Sequence, residues 1–133
     1  MSRPLLALVE SDALQRACSV DAIGRTGFDC VHFQTVHDLA AALKQGAAFQ
    51  AIAIAVHPHP AGALHGLRSA CRHIAAATAV PLLFMAHHTE IAPLQPLLLE
   101  ALQATAAAAF ICTPLAEEEL QFRLDLLQAG RTA

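Results

Sequence analysis

The chain has 133 residues, and because single hydrophobic cores commonly hold about 100–150 residues, we expect residues 1–133 to form a single domain. Hydrophobic residues make up 56% of the sequence and charged residues only 14%, which excludes a disordered tail. The formal net charge is −3, and the 8 Lys and Arg residues are scattered along the chain. Nucleic-acid binding needs a concentrated positive surface, so we expect no direct contact with nucleic acid.

The cysteine pattern and the first apolar stretch predict a cytoplasmic protein with no membrane contact. No close spacing that would indicate a zinc knuckle or a disulfide framework is present, so reduced thiols are expected. The stretch Leu5–Val9 is too short for a signal sequence or a membrane span. The four cysteines are Cys18, Cys30, Cys71 and Cys112.

The first half of the chain alternates short apolar runs with amphipathic stretches. Leu5–Val9 reads as a strand, and Ser11 or Asp12 can cap the helix that follows it. A second strand is predicted at Cys30–Phe33, and a second helix is expected to begin after Thr35 and to stop at Gly46. The apolar face predicted for the first helix consists of Leu14, Ala17, Cys18, Ala22 and Ile23.

The run Ala51–Val56 contains no polar residue. Such a strand is buried on both faces, which is typical of the centre of a parallel sheet covered by helices. After it, a loop is predicted at Pro58, Pro60 and Gly62, and a third helix near Leu64 to Ala76.

The last third of the chain predicts two more strands, Pro81–Met85 and Ala108–Cys112. A fourth helix is expected from Leu94 to Thr105, beginning near Pro96, where a missing N–H group costs least. The last helix is expected to open with the acidic run Glu117–Glu119, favourable at the positive end of a helix dipole, and to end by Gly130.

Five successive strand–helix units predict an α/β, flavodoxin-like, doubly wound parallel sheet of order 2-1-3-4-5 with helices on both faces. In such a sheet, ligands bind at the carboxyl ends of the strands. We therefore expect any chemistry to come from the residues just after Val9, Ile54, Met85 and Ile111.

Four segments mark the strands: Val9-Glu10-Ser11-Asp12 follows strand 1, Phe49 to Ala55 runs through strand 3, Pro81 opens strand 4, and Thr113-Pro114-Leu115 follows strand 5. With them, nearly the whole chain resembles the CheY-like receiver domain of bacterial two-component response regulators. In that family, two adjacent acids after strand 1 hold Mg²⁺, and an aspartate ending strand 3 accepts a phosphoryl group. A Ser or Thr ends strand 4, and a Lys followed by Pro ends strand 5.

The resemblance implies a degenerate phosphorylation site. Glu10 matches the first acid, but Ser11, Ala55, Ala86 and Thr113 replace the second acid, the phosphoacceptor, the hydroxyl residue and the Lys. An alanine methyl group offers no nucleophile. One carboxylate holds Mg²⁺ poorly, and phosphoryl transfer depends on positioned positive charge.

These losses predict a pseudo-receiver that is not an enzyme, carries no cofactor and acts through protein contacts without phosphorylation. A stand-alone adaptor and the regulatory domain of a transcriptional response regulator both fit this prediction. No Ser/His/Asp arrangement, carboxylate pair or glycine-rich phosphate loop indicates another enzyme class.

Consecutive leucines on the predicted fourth helix cover more than one of its faces. They predict a homodimer or partner interface, since receivers commonly dimerise through the face of helix 4, strand 5 and helix 5. Unusually deep burial of that helix is the alternative. The leucines are Leu97, Leu98, Leu99 and Leu102. Phe110 occupies the family's switch-aromatic position, where a static core phenylalanine is the simpler interpretation because Ala86 lacks a hydroxyl.

Histidines after strands 3 and 4 support an alternative function, a small-molecule or metal-binding sensor. Imidazoles near the thiol of Cys112 and the carboxylate of Glu10 could bind Zn²⁺ or Cu²⁺. Solvated loop histidines that bind nothing are the simpler interpretation, and our primary expectation is no metal. The four residues are His57, His59, His87 and His88.

Overall fold

The computed structural model describes residues 3–57, 72–74, 76–104 and 108–132. Its centre is a five-stranded sheet of order β2-β1-β3-β4-β5 in which every neighbouring pair is parallel. The predicted fold and strand order are therefore confirmed. The strands are β1 (Leu5–Val9), β2 (Asp29–Phe33), β3 (Ala51–Ala55), β4 (Leu82–His87) and β5 (Ala108–Thr113).

Helices pack on both faces of this sheet. The helices are α1 (Ala13–Gly24), α2 (Val36–Lys44), α3 (helical residues 72–74 and 76–77), α4 (Ile91–Ala104) and α5 (Glu117–Thr132). The predicted loop at Pro58, Pro60 and Gly62 and the predicted start of the third helix at Leu64 lie outside the described residues. No helix of the described ranges is long and apolar enough to cross a bilayer.

The all-apolar strand β3 forms the middle of the core, as predicted. Ile52 and Ile54 point into one hydrophobic cluster together with side chains of α2, α3 and α4. Ala51 and Ala53 point into a second cluster with side chains of α1 and α5. All four residues have no exposed surface. This position at the centre of a parallel sheet explains the absence of polar alternation in the strand.

The predicted boundaries of α2 are also confirmed. The Thr35 hydroxyl accepts a hydrogen bond of 3.1 Å from the backbone N–H of Asp38, which caps the helix. Beyond the carboxyl end of the helix, Gly46 adopts a φ of +95°, a conformation that a residue with a Cβ rarely takes.

The apolar face predicted for α1 is wrong in part. Leu14 is 73% exposed, and Ala17 and Cys18 are exposed as well, whereas Ser19 and Ile23 are the buried residues of the helix. Ile23 is fully buried in the same cluster as Leu120 of α5. One large side chain inserted into the core fixes the rotation of the helix, which leaves Leu14, Ala17 and Cys18 exposed, while Ala22 packs partly buried against the same cluster.

The predicted start of the fourth helix is wrong as well. Helix α4 begins at Ile91 and contains Pro96 in its interior. A 3₁₀ turn over His88–Glu90 leads directly into the helix, and the His87 ring accepts the Thr89 N–H at the start of that turn. The early start makes Pro96 an interior residue, where its missing N–H removes one hydrogen bond of the helix. At the other end of the chain, α5 extends past Gly130 to Thr132.

Two glycines give a matched test of these backbone assignments. A Cβ added at either Gly24 or Gly46 would contact nothing within 4 Å. We expect Gly46→Ala to lower the free energy of unfolding by about 1–2 kcal/mol because of its positive φ. Gly24→Ala, inside α1, should raise it by about 0.4–1 kcal/mol. Urea denaturation measures both, and equal effects of the two substitutions would contradict the assignment.

Candidate functional site

A buried carboxylate lies at the carboxyl end of β1. Glu10 is only 2% exposed, and its Oε1 accepts a 3.0 Å hydrogen bond from the backbone N–H of Asp12. The same oxygen lies 2.7 Å from Nε2 of His57. The Glu10 backbone N–H donates to the Phe33 carbonyl at 3.2 Å, and its own carbonyl lies 2.8 Å from Nε2 of His32. Both the backbone and the side chain of Glu10 therefore have hydrogen-bond partners.

His57 follows the end of β3 and contacts two acidic residues. Its Nε2 contacts Glu10, and its Nδ1 lies 4.0 Å from Oε1 of Glu90, with the histidine side chain 29% exposed. The hydrogen bond with Glu10 raises the pKa of His57 above its usual 6.5, burial lowers it, and the charges of Glu10, Glu90 and Asp12 raise it further. When it is protonated, the imidazole is the counter-ion of the buried carboxylate.

The other predicted site positions lie at the same edge of the sheet. Ala55 ends β3 and is partly buried, and Ala86, near the end of β4, is 2% exposed. Thr113 ends β5, is 6% exposed and precedes a cis bond to Pro114. Ser11 is exposed. The topology thus collects these five predicted positions at one edge, where Glu10 supplies their only charge.

Asp12 caps α1, as predicted, and is not part of an acidic pair. It is the N-cap residue, and its carboxylate accepts the backbone N–H of Gln15 at 2.9 Å. Its own N–H donates to Glu10. The side chain therefore serves the end of the helix, while its backbone helps to satisfy the buried acid.

The histidine cluster of the metal hypothesis is only partly described. The rings of His87 and His88 stack with centroids 4.4 Å apart. Nδ1 of His87 lies 2.7 Å from the Thr89 hydroxyl and 3.3 Å from the Thr89 N–H, so this nitrogen already has hydrogen-bond partners in its own turn. His59 lies outside the described residues, and within the described ranges no three His, Cys, Asp or Glu side chains form a group that could hold a metal ion. Metal binding stays a hypothesis.

Phe110 of β5 is partly buried and packs against the cluster that contains Ala86, Phe84 and Leu94. Sequence reasoning missed Glu90 and His32. Glu90 could have been found, because it follows β4 closely and thus belongs to the same sheet edge. The contact of His32 with the carbonyl of Glu10 joins two neighbouring strand ends, which a linear pattern does not reveal.

Exposed apolar side chains lie on both α4 and α5. Leu99 of α4 is 53% exposed, and Phe122 and Leu126 of α5 are 59% and 53% exposed. The side chains of Leu97, Leu98 and Leu102 lie outside the described part of the structure, although their backbone belongs to α4. Sequence analysis also missed the pair on α5. Its signal was present, because two large apolar residues four apart on a helix share one face.

The cap assignment of Asp12 predicts a specific pattern of stabilities. Asp12→Ala should lower the free energy of unfolding by about 1 kcal/mol, because the Gln15 N–H loses its acceptor. Asp12→Ser, which keeps a capping oxygen, should stay within about 0.5 kcal/mol of the wild type. Exposed Ser11 provides the control, and Ser11→Ala should have little effect in the same urea titration. A larger loss from Ser11→Ala than from Asp12→Ala would contradict the assignment.

Comparison with solved structures places this geometry in a known fold. No protein-family model and no curated protein sequence matches the chain. The N-terminal domain of a response regulator/sensory box/GGDEF three-domain protein from Carboxydothermus hydrogenoformans superposes with a TM-score of 0.76 at 14% identity, over 96% of each chain. A response regulator receiver protein from Sinorhizobium medicae gives 0.70 at 16% identity, over 98% of each chain.

A third similar structure is the receiver domain of a sensor histidine kinase from Pseudomonas aeruginosa, with a magnesium ion coordinated in its active-site cleft. It gives a TM-score of 0.74 at 17% identity, over 96% of this chain and 99% of that domain. The chain therefore has the fold of response regulator receiver domains.

Proposed function

We propose that the chain is a receiver-like signalling module that acts through protein contacts and without aspartyl phosphorylation. The observation that carries this proposal is the state of Glu10. It is the one acid at the five site positions, and it is buried and already bonded to His57 and to a backbone N–H group. The fold supports the signalling role by analogy.

The charges at this edge do not suit phosphoryl transfer. The reaction needs a nucleophile, and Ala55 has none. It also needs positive charge that stabilises the transferred group. Thr113 is neutral, and the charge on His57 is taken up by Glu10 and Glu90. A Mg²⁺ ion at Glu10 would have to displace His57, and of the five site positions only Glu10 offers a carboxylate.

Incubation with acetyl phosphate and Mg²⁺ tests the first part of the proposal. We expect the intact mass to remain unchanged, because no carboxylate nucleophile stands at the end of β3. The P. aeruginosa receiver domain, which binds magnesium, is the positive control and should gain one phosphoryl group. Mg²⁺ titration by calorimetry should give the same negligible heat for wild type and Glu10→Gln. A stable phosphoryl adduct on any residue of the chain would overturn the proposal.

The second part of the proposal concerns the partner, which we take to be a second copy of the chain. The α4–β5–α5 surface is defined here by Leu99 of α4, the edge strand β5, and Phe122 and Leu126 of α5. The three apolar side chains are each more than half exposed. Covering such surface is favourable by about 25 cal/mol per Å².

The polar groups beside these residues favour a two-fold interface. Glu119, Phe122, Arg123 and Leu126 follow the helical spacing of one continuous stripe on α5. Arg123 approaches Glu119 at 3.9 Å, and its buried Nε has no hydrogen-bond partner among the described residues. A stripe that carries both signs of charge is self-complementary, because a two-fold axis brings the acid of one copy to the arginine of the other.

Charge substitutions on this surface test the proposed dimer. The wild type should sediment as a dimer at micromolar concentration, and Phe122→Asp or Leu126→Asp should raise the dissociation constant by about tenfold or more, since about 1.4 kcal/mol corresponds to a factor of ten. Leu14 on α1 is even more exposed, so Leu14→Asp is the matched control and should leave the dimer intact. A monomeric wild type in analytical ultracentrifugation would rule out the second copy as partner.

A further inference from the structure

We propose that His57 forms a charge bridge from Glu10 to Glu90, and that proton binding to this histidine regulates the attachment of α4 to the sheet edge. The His57 bridge is defined by these three residues. This inference rests on the proposed function, since it gives an input to a module that takes up no phosphoryl group.

The three residues come from three different parts of the fold. Glu10 follows β1, His57 follows β3, and Glu90 is the last residue of the 3₁₀ turn that leads into α4 at Ile91. Nε2 of His57 lies 2.7 Å from the buried carboxylate of Glu10, and Nδ1 lies 4.0 Å from that of Glu90. A bridge at this place therefore connects the central strands to the start of α4.

Only the protonated ring can serve both carboxylates. A neutral imidazole has one N–H, and the short contact with Glu10 takes it at Nε2. Its Nδ1 then carries a lone pair, which repels the carboxylate of Glu90. When the ring is protonated, both nitrogens carry protons, and Glu90 is attracted. Loss of the proton thus weakens the contact with Glu90 first.

The groups that face His57 from the packed elements support a charged ring. Glu10 from β1, Asp12 from the cap of α1 and Glu90 from the turn before α4 act on it, and each raises its pKa. On β2, His32 is directed to the carbonyl of Glu10, and after β4 the His87 ring is bonded to Thr89. These two neighbouring imidazoles therefore have separate hydrogen-bond partners.

The direction of the pH effect follows from the acidic groups around His57. The pKa of His57 is raised above its usual 6.5 in the folded protein. The stabilisation that the protonated His57 contributes is therefore fully present below pH 6.5 and is lost as the pH rises through the folded-state pKa of this residue. At alkaline pH we expect the start of α4 to open more often. Leu99 of the α4–β5–α5 surface lies on the same helix, so the partner surface would respond to the proton.

Hydrogen exchange of the backbone amides of residues 88–94, except Pro93, which has no amide hydrogen, tests the bridge. After correction for intrinsic exchange, wild-type amides should be more protected at about pH 6 than at about pH 8.5, because the contact with Glu90 weakens as His57 loses its proton. Glu90→Gln should abolish this difference. Glu118→Gln, which removes an exposed carboxylate on α5, should keep it. Equal wild-type protection at both pH values would overturn the inference.

A second variant separates the charge of His57 from its hydrogen bond. His57→Gln can donate to Glu10 but cannot take up a proton, so protection of residues 88–94 should no longer depend on pH. If this variant does not fold, Glu90→Gln still tests the inference. Glu90 is partly exposed, so its substitution should not prevent folding. A phosphoryl adduct would contradict the proposed function, whereas protection that is independent of pH would contradict the bridge alone.

Discussion

The structure at the sheet edge depends on the compensation of one buried negative charge. A carboxylate that is withdrawn from water costs several kcal/mol unless hydrogen bonds and a positive charge replace its hydration. Glu10 is 2% exposed, accepts a hydrogen bond from the Asp12 N–H, and lies against the imidazole of His57, which adds a positive charge when it is protonated. The cap of α1 contacts Glu10 through the Asp12 N–H. The end of β3 contacts it through His57, which also connects it to the turn before α4. The edge is therefore organised around the contact between Glu10 and His57.

The backbone of the fold was predictable because its signals are local. The apolar run Ala51–Val56 identified the central strand, and Thr35 and Asp12 identified two helix starts through hydrogen bonds that span three residues. The rotation of α1 was not predictable in this way. It depends on the insertion of Ile23 between side chains contributed by distant parts of the chain. Counting apolar residues therefore favoured a face with Leu14 and Cys18, which the structure leaves exposed.

At the candidate site too, the backbone positions could be predicted from the sequence and the side-chain contacts could not. Strand order alone predicted that Glu10, Ala55, Ala86 and Thr113 would meet at one edge, and they do. Sequence analysis expected His57 near Glu10, but it did not predict the direct hydrogen bond between them, because that bond depends on side-chain directions at the ends of neighbouring strands. His57 was considered as a metal ligand beside other histidines, whereas its nearest partner is the acid that the family resemblance had already singled out.

An imidazole and a divalent cation compensate a buried carboxylate in different ways. Mg²⁺ carries two positive charges, exchanges with the solution and needs several oxygen ligands. His57 carries one charge that depends on pH, and because it is tethered beside Glu10, a free ion must compete with a group at high effective concentration. A carboxylate placed at Ala55 would add a second negative charge that a single imidazolium does not neutralise. Under the proposed function, phosphoryl chemistry at this site would therefore require the removal of His57 together with new acidic and basic groups.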